Sequence, residues 1–193
     1  MGKDKALIYV TKQPLYLLKK NDIYTVLSKN AETLNKNNDN IHYEDLNGKI
    51  VAEFEFDVDK IYAIKQEYHE TRYSTNPYIT TKTAIKPILE KSNLYLEELD
   101  QYLNGQDGYA INIENLHIFD KPKELSDYYS DMQRIVERPA PTIKKAPQNM
   151  CYAFDEKMLP YILISIQPHW AYRILSGSKT IEIRKKVLKG MLE

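Results

Sequence analysis

The chain has a single thiol, Cys151, which excludes an internal disulfide framework and fits a reducing, cytoplasmic setting. It has four histidines, none spaced as a metal ligand with another or with the cysteine, so no structural zinc site and no metal are expected. Net charge is lacking too. The 27 Lys and Arg balance 27 Asp and Glu, so nothing draws the whole molecule to nucleic acid or to an anionic membrane, and any such binding rests on a local patch. No apolar run approaches the ~20 residues that cross a bilayer. The N-terminus MGKDKALIYV has neither the layout of a signal peptide nor the hydroxyl residue that myristoylation requires. With only six glycines against sixteen tyrosines, a strand-rich fold with aromatic surfaces is expected. Most of those tyrosines suit sheet packing, and a few could stack on bases.

At 193 residues the chain is long enough for one domain with a real core. Ala6–Val10 is a compact apolar run of the buried-strand type, and Pro14 breaks it. From Asp22 to Leu34 the spacing of Ile23, Val26 and Leu27 suits a helix of modest quality. An Asn- and Asp-rich stretch then ends in the turn signal Asn47-Gly48. Residues 14–48 read as an excursion between two strands. Lys49–Phe56 alternates cleanly, with Ile50, Ala52, Phe54 and Phe56 on one face. Asp59–Ile64 continues or bends that strand, and Lys65–Lys82 has no clean period and reads as a loop. Ser92 is expected to cap a helix reaching Leu103, with Leu96, Leu99 and Leu103 inward. Gly108–Ile113 is a strand, Arg138–Ala146 a proline-rich extended connector, and 154–161 a linker.

The most informative stretch is Ile162–Lys186. Ile162–Ile166 is a buried-strand run, and Gln167-Pro168 opens a helix, because proline suits the first helical turn. Trp170, Ala171, Ile174 and Leu175 form its apolar stripe, and Gly177 stands where a left-handed cap belongs. Thr180–Arg184 is an alternating strand, so Lys179, Glu182 and Arg184 gather near one turn, with Glu182 and Arg184 on one strand face. From the residues alone, this is either a β-α-β unit with solvated charges or a functional cluster.

The pieces Ser165-Ile166-x-Pro168, Gly177-x-Lys179 and Glu182-x-Arg184-Lys185 resemble the signature of the ASCH domain, a branch of the PUA-like β-barrels. Three further pieces look like the rest of that domain: the strand at Gly48–Phe54, the Gly108–Ile113 strand, and Ala146–Tyr152 with its P-Q-x-x-x-Y ending. The family's first block stands last here. The resemblance therefore implies an α+β fold: a PUA-like (ASCH) mixed β-barrel with flanking helices in circularly permuted order, forming a single domain over 1–193. Residues 6–153 would be the family's second part and 162–186 its first. Permutation of this kind is closed within one chain, giving a monomer, or by exchange between chains, giving a domain-swapped dimer.

The resemblance also implies a cleft beside the G-x-K turn for RNA or a nucleotide, lined by Lys179, Thr180, Glu182, Arg184 and Lys185, with no cofactor. Lys179 would contact phosphate, Arg184 offers a planar donor fork, and Lys185, Lys186 and Lys189 add local positive charge. Some relatives are amidohydrolases on acylated cytidine and others ribonucleases, which makes a small hydrolase the alternative, with Glu182 as general base and Lys179 stabilising negative charge. That amidohydrolase type uses a threonine where Glu182 stands, and Thr180 is only displaced along the same strand face. His42, His69, His117 and His169 suggest no catalytic arrangement, and Cys151 reads as a small core residue.

Overall fold

The computed structural model of the chain describes residues 3–12, 46–67, 72–74, 82–130, 141–188 and 191. The fold is α+β. The strands are β1 (Asp4–Val10), β2 (Ile50–Phe56), β3 (Tyr62–Glu67), β4 (Arg72–Ser74), β5 (Gly108–Asn112), β6 (Glu114–Lys123), β7 (Met150–Phe154), β8 (Pro160–Ile166) and β9 (Ile181–Arg184). A five-stranded sheet in the order β6-β2-β1-β8-β7 and a four-stranded sheet in the order β4-β3-β5-β9 stand where a barrel was expected, and no closed barrel is found among the described residues. The helices are α1 (Lys82–Ser92), α2 (Leu96–Leu103) and α3 (Pro168–Leu175). By their contacts the residues divide into two compact units, one of 1–4, 55–114 and 177–193, the other of 5–54 and 115–176. No described helix is long and apolar enough to cross a membrane.

In the second unit, β1 pairs in parallel with β8 of the same chain, Ala6 opposite Ile162 and Val10 opposite Ile166. Over Ala6–Val10 and Ile162–Ile166 both strands read as apolar runs, with only Ser165 polar, because both of their faces are covered. Leu7 and Leu163 pack with Tyr9, Ile50, Tyr128 and Tyr161 in one core cluster, and Ile8 and Ile164, one residue along, are buried as well. The N-terminal strand and the first strand of the C-terminal block are therefore direct neighbours. Residues 154–161 are a hairpin rather than a linker. β7 pairs antiparallel with β8, Phe154 opposite Pro160, and the Asp155 carboxylate accepts from the amides of Lys157 and Leu159, each at 2.9 Å. An aspartate bonding its own backbone two and four residues on closes the loop without glycine. The Asn47-Gly48 turn is present, Gly48 with φ +84° and its amide donating to the Val10 carbonyl. The rest of the excursion, and the helix expected from Asp22 to Leu34, lie outside the described residues.

In the first unit, the segment after Phe56 turns through a short 3-10 stretch, Val58–Lys60, and enters the other sheet as β3. The expected loop 65–82 contains strand: β3 runs to Glu67 and pairs antiparallel with β4, Glu67 opposite Arg72. The helix expected from Ser92 to Leu103 begins four residues later, at Leu96, just after another helix has ended. Ser92 is the last residue of α1, and α2 begins at Leu96, where the Tyr95 amide donates to the Glu98 carboxylate at 2.8 Å. α1 carries Pro87 within it, which hides it from pattern reading because proline ordinarily argues against a helix interior. Ile85, Ile88, Leu99 and Leu103 pack on Ile64, Ala110, Ile181 and Ile183, so both helices cover one face of the four-stranded sheet. Each fully buried leucine contributes about 1.5–3 kcal/mol.

Two glycines have different reasons to be glycine. A Cβ on Gly108 would meet Leu103 Cδ2 at 2.7 Å, and Leu103 has no exposed surface through which to retreat. Gly177 has open space around it but φ +76°. Gly108→Ala is expected to lower unfolding free energy by about 1–3 kcal/mol through overpacking, and Gly177→Ala by roughly 1 kcal/mol through backbone strain. Urea unfolding checks both, and Leu103→Ala is expected to relieve the cost of the first and leave the second unchanged.

Candidate functional site

The site grows from the C-terminus of α1. The last four carbonyls of a helix have no intrahelical donor, and here each has found one. Asn93, with φ +56°, turns the chain so that its amide reaches the Glu90 carbonyl at 3.2 Å and the Leu94 amide reaches that of Leu89 at 3.1 Å, a Schellman arrangement. The two remaining carbonyls are satisfied from far along the chain. The Thr180 amide donates to Lys91 O at 2.8 Å, and the Lys179 ammonium donates to Ser92 O at 3.1 Å. A cation at this end of a helix also meets the negative pole of the helix dipole. Gly177 makes the approach possible, because its positive φ reverses the chain just after α3.

Lys179 is 3% exposed, so its charge needs a second partner, which Glu182 supplies at 3.3 Å from Oε2. The other carboxylate oxygen, Oε1, stands 3.0 Å from Arg184 Nε, at an angle too bent for a straight hydrogen bond. The result is a buried row of cation, anion, cation. β9 sets its geometry: opposite Ile111 and Tyr109 of β5, Glu182 and Arg184 point to one face while Ile181 and Ile183 point to the helices.

Not all the expected residues join this row. Lys179, Glu182 and Arg184 come together as expected, but they are buried rather than lining an open cleft. Thr180 lies just before β9 with its side chain exposed, and it serves the site through its backbone, donating to Lys91 and accepting from the Ile113 amide at 2.9 Å. Lys185 is half-buried, with its ammonium 5.4 Å from the centre of the Tyr102 ring. Tyr102 is the functional candidate that sequence reasoning missed. It is the residue before Leu103 in α2, 40% exposed, and its hydroxyl is pushed above the ordinary phenol range by burial, a shift that Arg184 opposes and Glu182 reinforces. Only its position next to an inward leucine could have marked it, and sixteen tyrosines dilute that signal. Lys189 lies outside the described residues, as do His42 and His69.

Set against known proteins, the chain matches no family model, no curated protein and no solved structure. The geometry therefore carries the functional argument alone. No group of His, Cys, Asp and Glu able to hold a metal ion occurs among the described residues. His117 lies 3.8 Å from the Glu53 carboxylate, and His169 packs against Trp170. Cys151 is half-buried against the core of the second unit, and burial pushes its thiol up, away from nucleophilic character.

Two stability measurements test this description. Glu182→Gln leaves two buried cations facing one another and is expected to cost about 3–5 kcal/mol, more than Lys179→Met, which leaves the Glu182–Arg184 pair intact. Equal costs would show that the row does not act as a unit. In the same unit, Asp100 of α2 has a buried carboxylate oxygen, Oδ1, without a hydrogen-bond partner, and burial raises its pKa above the ordinary 3.8. The folded chain thus holds this proton more tightly than the unfolded chain, so the carboxyl's contribution to stability falls as pH rises through and above that range. Asp100→Ala is expected to raise the urea midpoint at neutral pH, with the advantage shrinking as the carboxyl protonates in acid.

Proposed function

We propose that this chain is a nucleotide- or single-stranded-RNA-binding module of the PUA-like, ASCH kind, with that family's segments in circularly permuted order. The observation that carries the reading is the rim of the buried row: an exposed Tyr102 ring beside Lys185, next to the Glu182–Arg184 pair. An aromatic face offers a base somewhere to stack, and a lysine ammonium offers a phosphate a point charge. The order of segments supports the family assignment. β8 lies beside β1, and a five-residue hairpin loop joins β7, the family's closing strand, to β8, its opening strand. The family's ends would thus be neighbours in space, the condition under which a permutation costs little.

Hydrolysis with Glu182 as general base is the weaker reading. Glu182 is 6% exposed, and each of its carboxylate oxygens faces a cation, Lys179 on one side and Arg184 on the other, so the carboxylate is turned toward its ion partners rather than toward an attacking water.

Binding of a short single-stranded RNA tests the proposal. Affinity is expected to fall with salt. Lys185→Ala is expected to reduce the slope of log K against log salt by about 0.7, and Tyr102→Ala to cost about 1–3 kcal/mol per stacked base. RNA binding that is absent, or that is salt-independent and indifferent to both substitutions, would overturn it.

A further inference from the structure

A second candidate site lies in the other compact unit, along the outer edge of β7. There a groove of about 380 Å³ is lined by Ser130, Thr142, Lys144, Lys145, Cys151 and Tyr152. Its volume falls within the range of small-molecule sites, about 300–1,000 Å³. Ile143, which is buried, and Pro147 supply apolar surface. Cys151 is half-buried, packed against the core cluster on one side and lining the groove on the other, and Tyr152, the next residue along the strand, is 43% exposed. The groove's wall is held by backbone pairing: Tyr129 bridges both Thr142 and Phe154, and the Ile143 amide donates to the Tyr128 carbonyl at 2.8 Å. Two exposed lysines on such a wall, with no ion pair to any described carboxylate, give the groove a positive sign in a chain of zero net charge.

We propose that this groove binds a nucleoside phosphate, with Lys144 and Lys145 on the phosphate, Tyr152 against the base, and the Ser130 and Thr142 hydroxyls within the polar wall. Two cations side by side suit a doubly charged phosphate better than a carboxylate, and an aromatic rim beside them suits a ligand that carries a flat ring on its anion. The same chemistry is offered by a free nucleotide and by one nucleotide of a single strand. This site shares no residue with the Tyr102–Lys185 rim, so either can fail while the other stands.

Cys151 provides the test, because the only thiol in the chain lines the groove. Alkylation of Cys151 by a small maleimide is followed with each of the four nucleoside 5′-monophosphates, with a single-stranded ribohexamer, and with inorganic phosphate. A bound nucleotide is expected to slow alkylation about tenfold at ten times its dissociation constant. Protection by monophosphate and hexamer alike indicates a free-nucleotide site, and protection by the hexamer alone indicates a strand. Replacing Lys144 and Lys145 together by Ser is expected to abolish protection, read in each variant as the ratio of its own alkylation rates with and without ligand, and Tyr152→Leu to weaken it several-fold. Lys185→Ala is expected to leave it intact. The proposal is overturned if neither nucleotide nor hexamer slows alkylation, if the lysine variant is protected as well as the parent chain, or if inorganic phosphate alone protects as strongly as the nucleotides.

Discussion

The first unit depends on how one helix ends. α1 stops at Ser92 with four carbonyls to satisfy, and a local Schellman turn handles only two of them. The others are met by the Thr180 amide and the Lys179 ammonium, from 87 or more residues further along. Burying that ammonium brings the Glu182 carboxylate in, and the carboxylate in turn stands against the Arg184 guanidinium. A helix end thus dictates a row of three buried charges. Because a buried charge is tolerated only when it is paired, the register of β9 against β5 has little room to slip.

This reverses the usual weighting of the residues in a motif that looks functional. Lysine, glutamate and arginine at close spacing beside a glycine turn invite reading as ligand groups, yet their partners here are one another and the backbone. The solvent-accessible groups near them are Tyr102 and Lys185. Lys185 follows directly after Arg184 in the chain, and Tyr102 comes from α2, which ends one residue later at Leu103. For the function proposed, a rim carried by a packed helix and by the residue next to a buried ion row costs little entropy to order on binding.

Much of the fold was legible in the sequence where patterning and packing agree. The alternation of Ile50, Ala52, Phe54 and Phe56, the apolar runs of β1 and β8, and Pro168 at the head of α3 all form the elements their patterns call for. Where reading failed, a local signal competed with a tertiary one. Pro87 disguised α1, and Ser92, a good first residue for a helix, turned out to be the last residue of the one before. Residues 154–161, with Pro160 and no glycine, resembled a linker, yet the Asp155 side chain closes them into a hairpin. Of the candidate site, the gathering of Lys179, Glu182 and Arg184 followed from strand period and turn position, while their burial did not.

By itself the sequence determined strands β1, β2, β5, β8 and β9, the strand–helix–turn–strand grammar of Ile162–Lys186 and the pairing of Glu182 with Arg184 on one face, because these rest on periods of 2 and 3.6 residues and on the backbone freedom of Gly177. Tertiary structure decided which strands are neighbours, that β9 borders β5, that Lys179 caps a helix distant in sequence, and that Tyr102 stands beside Lys185. Those outcomes depend on contacts between segments far apart in the chain, whose partners are selected by the need to satisfy buried polar groups, and no local pattern specifies where the unsatisfied carbonyls of another helix will lie.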